Sequence, residues 1–144
     1  MTTTIIAALE TYLKTYTSLK SGAPVLTDFL SKNPTQYSVV PQGGERVTEY
    51  NIDYSSEREY AFAIQSMEST ADELNRLANS GFYESLADWF EQQTQNGNLP
   101  TLNSNQHPVA IQATSWGFLF EQSESTTGIY QVTAKLIFDQ DAPS

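Results

Sequence analysis

Residues Ser69–Pro100 read STADELNRLANSGFYESLADWFEQQTQNGNLP, and this stretch decides the fold. Ala71, Leu74, Leu77 and Ala78 recur at three- and four-residue spacing, which places them on one face of a helix. Phe82, Tyr83, Leu86, Trp89 and Phe90 repeat the pattern. Between the two sets stands Asn79-Ser80-Gly81, which predicts a break, because glycine ends helices at little steric cost. Ser69 with Asp72, or Thr70 with Glu73, offers a capping-box start. Asn96-Gly97-Asn98 before Pro100 supplies the stop. The expectation is a pair of helices whose second member is the main hydrophobic anchor.

The flanking sequence must then supply a surface for that anchor. Thr2–Leu19 is amphipathic, with Ile5, Ile6, Leu9, Tyr12, Leu13, Tyr16 and Leu19 on one stripe. Val25–Leu30 fits either a strand or a helical turn, and Lys32–Thr35 is a turn. Tyr37–Val40 and Arg46–Asp53 read as strands about the turn Pro41–Gly44. In Glu57–Met67, Tyr60, Phe62 and Ile64 alternate with smaller or polar residues, the pattern of a half-buried strand. Leu99–Pro108 is a polar loop. In Val109–Glu121 the apolar face changes between Ala113 and Trp116, which predicts a bulge near Ser115–Gly117 or burial on both sides, with Trp116 in the core. After a loop at Ser123–Gly128, Ile129–Phe138 alternates again, with Tyr130, Val132, Ala134, Leu136 and Phe138 inward. Strand runs separated by helices predict an α+β domain over residues 1–138 and a flexible tail at 139–144. The sheet would be curved, mostly antiparallel and four- to five-stranded, covered by the N-terminal helix and the central helix pair.

Composition narrows the function. With 144 residues the chain can bury a core of its own. It has no cysteine, hence no disulfide, thiolate nucleophile or cysteine metal site. Its single histidine, His107, cannot assemble a zinc site and reads as an exposed loop residue. No phosphate-binding, nucleophile-elbow, zinc-protease or calcium-loop motif occurs, so neither an enzymatic activity nor a cofactor is expected. The first residues have no basic segment and their apolar run breaks at Glu10, so no signal peptide is expected there, and no run reaches membrane-spanning length.

Net charge is −10, and lysine and arginine are absent from Leu77 through Ala134. Tight binding to a nucleic-acid backbone needs cations that displace counterions, so that class is disfavoured. Acids also cluster with bases and tyrosines in one region: Glu45, Arg46, Glu49, Tyr50, Asp53, Tyr54, Glu57 and Glu59. They form the solvated face of a hairpin, or a contact surface for a partner, since tyrosine contributes contact area at low entropic cost and keeps a hydroxyl.

Several blocks then resemble one family. They are PTQYSVVP (34–41), REYAFAIQS (58–66), NSGFYESLADWFEQQ (79–93), GNLP (97–100) and GFLFEQSESTTGIYQVTAKLIFDQ (117–140). In this order they are similar to the minor capsid proteins of tailed bacteriophages and prophages of Gram-positive bacteria, thought to act as tail terminators or head–tail joining proteins. The resemblance implies a virion structural protein made in the bacterial host cytoplasm. It would form a ring, usually a hexamer, that ends the tail tube and docks the head connector. Its partners would be its own copies, the tail tube protein and the connector protein, with DNA passing through rather than held and no membrane involved. The acids would line a partner interface or the lumen, where they repel phosphate. The alternative is an acidic adaptor or inhibitor that binds a host nucleic-acid enzyme.

Overall fold

The computed structural model describes residues 4–16, 25–27, 37–43, 46–69, 73–122 and 127–143. Within them are two helices, α1 (Ile5–Leu13) and α2 (Glu73–Asn96), and seven strands: β1 (Val25–Thr27), β2 (Tyr37–Pro41), β3 (Val47–Tyr50), β4 (Ser56–Ser69), β5 (Gln106–Ala113), β6 (Phe118–Gln122) and β7 (Thr127–Gln140). The α+β class with a mostly antiparallel sheet is as the patterning predicts. The sheet has seven strands and not the expected four or five, because Val25–Thr27 forms a strand and the segment expected as one strand over Val109–Glu121 is two. Among the described strands only β1 pairs in parallel, with β2; it makes the first half of the ambiguous Val25–Leu30 a strand, and residues 28–30 lie outside the described residues.

Two fourteen-residue strands form the centre. β4 and β7 pair antiparallel without a register shift, from Ser56↔Gln140 to Ser69↔Thr127. Their even-numbered residues share one face, so Phe62 lies opposite Ala134 and Ile64 opposite Val132. All four are buried. β2 and β3 pair with successive parts of β4, whereas β5 and β6 pair with successive parts of β7. Register shifts fall on β3, β5 and β6, where an extra residue bends the strand and turns Val109 out to solvent. The last strand continues to Gln140, two residues beyond the expected end at Phe138, and Asp141 N–H donates to the Asn105 carbonyl.

α2 corrects the expected helix pair. It runs unbroken for 24 residues through Asn79-Ser80-Gly81. Gly81 is exposed, and nothing lies within 4 Å of where a Cβ would stand. A glycine inside a helix costs about 1 kcal/mol relative to alanine, which is a penalty and not a stop. Tyr83, Leu86 and Phe90, buried against the sheet, outweigh it. The stop is where expected. Gly97 adopts φ +76, Gly97 N–H donates to Thr94 O at 3.3 Å and Asn98 N–H to Gln93 O at 2.9 Å, the two bonds of a Schellman motif. The capping residues 70–72, the turn at 32–35, the loop at 123–126 and Leu19 lie outside the described residues.

α1 starts at Thr4, whose Oγ1 accepts from Ala7 N–H at 3.2 Å. It is shorter than the expected Thr2–Leu19. A tight turn after Leu13 brings Tyr16 into the core. There Tyr12 and Tyr16 pack on Trp89 with ring centroids 5.1 and 5.0 Å apart, and Phe82 stacks on Tyr37 at 5.5 Å. Burial pushes the Tyr12 phenol up to about 12, although Gln93 offers it a hydrogen bond, and its O–H donates to Asn98 O at 2.8 Å. Among the described residues no helix is long and apolar enough to cross a membrane.

Candidate functional site

The acidic hairpin exists, formed by β3 and the first residues of β4. Val47 lies opposite Arg58, Glu49 opposite Glu57 and Tyr50 opposite Ser56. Glu49 and Glu57 are therefore cross-strand neighbours of like charge, an unfavourable pairing. Thr48 Oγ1 donates to the Glu57 carbonyl at 3.1 Å and reaches its carboxylate at 3.3 Å. Arg58 does not neutralise either acid; its Nε donates to Ser56 Oγ at 2.9 Å. Arg46 is exposed, and its carbonyl accepts from Glu59 N–H at 3.2 Å. Glu45 lies outside the described residues.

Glu59 stands apart from the other acids. It projects from the sheet face that the helices leave open and accepts from Lys135 Nζ at 3.1 Å. Its charge is largely cancelled there, so it does not extend the acidic surface of Glu49 and Glu57.

The connection from Tyr50 to Ser56 is a stiff tip. Asn51 N–H donates to Ser55 O at 2.9 Å, Tyr54 N–H to Asn51 O at 3.0 Å, and Asn51 Nδ2 to Ser55 Oγ at 2.9 Å. Asp53 Oδ1 accepts from both Ser55 N–H and Ser55 Oγ, and these bonds hold its carboxyl below the ordinary 3.8. Tyr54 adopts φ 70, a left-handed conformation uncommon for an aromatic residue. The cross-linked turn holds that conformation and points side chains outward. Tyr50 is 67% exposed, Ile52 101% and Tyr54 76%. The expectation singled out both tyrosines but not Ile52, a lone aliphatic between Asn51 and Asp53 with no periodicity to flag it.

A second apolar surface was missed altogether. Trp116 is 74% exposed, not in the core. The single strand expected over Val109–Glu121 is interrupted at residues 114–117: Thr114 N–H still donates to Thr133 O at 2.7 Å, but Thr133 N–H donates to the Ser115 side-chain Oγ at 3.1 Å. The segment is pinned to α2 because Gly117 abuts Tyr83 so closely that an added Cβ would overlap the Tyr83 Cβ. Trp116 thereby becomes one wall of a cleft of about 560 Å³, with Ala87, Ile111 and Ala113 as apolar lining and Asp88 and Glu91 among its acids. Two residues further, Phe118 and Phe120 meet edge to face at 6.3 Å and remain 43% and 48% exposed.

His107 sits on β5 rather than in a loop, exposed, with Nε2 3.0 Å from Asp141 Oδ1. Among the described residues, no three His, Asp or Glu side chains gather as a metal site. The acids Glu84, Asp88 and Glu91 are all exposed on α2, away from its buried Leu86 and Phe90 face. The molecule thus presents acidic surfaces on a helix and a hairpin, and two separate aromatic patches. No protein-family model and no curated protein matches the chain.

Proposed function

We propose that this chain is a virion assembly protein that ends the tail tube of a tailed bacteriophage and joins it to the head connector, acting in a ring of its own copies and not as an enzyme. The observation that carries this reading is the β3–β4 hairpin, an acidic strand pair ending in a rigid apolar tip. A ring needs surfaces that grip protein and a channel that does not grip DNA. The tip suits the first purpose and the unneutralised Glu49–Glu57 pair the second, because a lumen of negative charge repels phosphate. The resembled blocks support the reading from another direction. Apart from GNLP (97–100), which follows α2, they fall on β2, β4, α2, β6 and β7, elements of the sheet and its cover.

The test is electron microscopy of particles assembled without the protein. Overlong or headless tails are expected; tails of normal length joined to heads would sink the proposal. The lumen has its own test. Glu49→Lys places a cation opposite Glu57, so the hairpin gains roughly 0.2–1 kcal/mol from the cross-strand pair. The variant is expected to fold and assemble yet slow DNA ejection. Normal ejection would move these acids out of the channel.

A further inference from the structure

We infer that copies of this chain join head to tail, with the Tyr50–Ile52–Tyr54 tip of one copy seated against the Trp116–Phe118–Phe120 corner of the next. The inference adds the contact surfaces to the proposed ring, but it stands on the shape of the monomer and holds for any assembly role.

The topology puts the two surfaces at opposite corners of the sheet. β3 lies outside β4 at the Ser56↔Gln140 end of the central pair, and β6 lies outside β7 at the Ser69↔Thr127 end. At about 3.3 Å per residue the corners are roughly 30 Å apart along the strands. The tip therefore cannot cover the corner of its own chain. A contact between two unlike patches repeats from copy to copy, and such a contact closes into rings where its rotation allows.

Shape and area select this pairing. The tip is convex and stiff, so two tips cannot bury one another, whereas the corner adjoins a cleft of about 560 Å³ with apolar lining. A buried aromatic side chain covers roughly 150–250 Å². The exposed parts of Tyr50, Ile52 and Tyr54, with those of Trp116, Phe118 and Phe120, amount to on the order of 1,000 Å², which meets the lower bound of a specific interface. A rigid turn also limits the ordering cost of docking. Charge opposes the contact: Glu49 and Asp53 approach Asp88 and Glu91. Screening of those like charges makes association strengthen as salt rises.

Sedimentation velocity on two double variants tests the contact. Tyr50→Ser/Ile52→Ser removes the tip and Trp116→Ser/Phe120→Ser removes the corner. All four side chains are solvent-exposed, so both variants are expected to melt like the parent. The parent forms oligomers that grow with concentration and salt. Each variant loses self-association at least about tenfold, the scale of one interface anchor. Their mixture yields a dimer and nothing larger, because each variant keeps one of the two surfaces. A monomeric parent, a tip variant that still oligomerises or a mixture that stays monomeric would each overturn the inference. The chain has no cysteine, so introduced thiols report independently. Ile52→Cys mixed with Gln112→Cys, on the cleft lining, should oxidise to a heterodimer, whereas tip-to-tip disulfides of Ile52→Cys alone would refute the pairing. Oligomers of a protein whose absence leaves tails normal would uphold the contact while sinking the tail reading.

Discussion

Gly81 and Gly117 show that one residue type can have opposite meanings in one chain. Gly81 is helical and surrounded by open space, so Gly81→Ala should raise stability by about 0.5–1 kcal/mol through a less entropic unfolded state. Gly117 lies against Tyr83, so Gly117→Ala forces a shift at the junction of the β5–β6 link and α2 and should cost about 1–3 kcal/mol or more. Chemical denaturation of both variants checks the contrast. From the sequence, the Asn-Ser-Gly tripeptide looked like the break and Gly117 like a bulge. Neither solvent exposure at Gly81 nor the approach of Tyr83 to Gly117 leaves a periodic trace. Tyr12 gives a pH test. Its folded state favours the neutral phenol, with the pKa raised from 10.0 to about 12. Its contribution is complete below pH 10 and lost as pH climbs from 10 to 12. Tyr12→Phe, which leaves the Asn98 carbonyl without this donor, should cost about 0.5–1.5 kcal/mol at neutral pH and flatten the alkaline decline. Equilibrium unfolding across that pH range measures both effects.

Among the elements, the long amphipathic ones were legible and the short edge ones were not. β4 and β7 alternate so regularly that their inward residues, Phe62, Ile64, Tyr130, Val132, Ala134, Leu136 and Phe138, could be named from the sequence. β6 could not be separated from β5, because the interruption at 114–117 depends on Ser115 and Thr114 bonding to Thr133, a tertiary event. The hairpin acids were found by their clustering. Ion pairing at Glu59 depends on Lys135, 76 residues away, and the sequence carried no sign of it. Edge protection is a further property of this level. Thr94 Oγ1 on α2 donates to Ile111 O at 2.9 Å and accepts from Ile111 N–H at 3.0 Å. One hydroxyl thus satisfies both outward backbone groups of a residue on the β5 edge, which discourages another strand from adding there. Thr94→Val keeps the shape and strands both groups. A loss of about 1–3 kcal/mol is expected in thermal or denaturant melts, with a greater tendency to aggregate.

For the whole molecule, the consequence of the central pair lies in time rather than in space. β7 follows the other described strands, yet it joins β4 to β5 and β6. Until residues 127–140 have left the ribosome, β5 and β6 have no strand to pair with and β4 lacks its longest partner. Helix α2 is synthesised earlier, with Tyr83, Leu86 and Phe90 exposed and nothing complete to cover them. The sheet must therefore close after residues 127–140 have been made, through contacts remote in sequence, which is a slow route to the native state. A ribosome that stalls before residue 127 leaves β1 to β4 able to pair with one another but β5 and β6 without a partner strand, whereas synthesis through residue 140 supplies the strand that both need. Emergence of residues 127–140 thus gates which copies can close their sheet and enter an assembly.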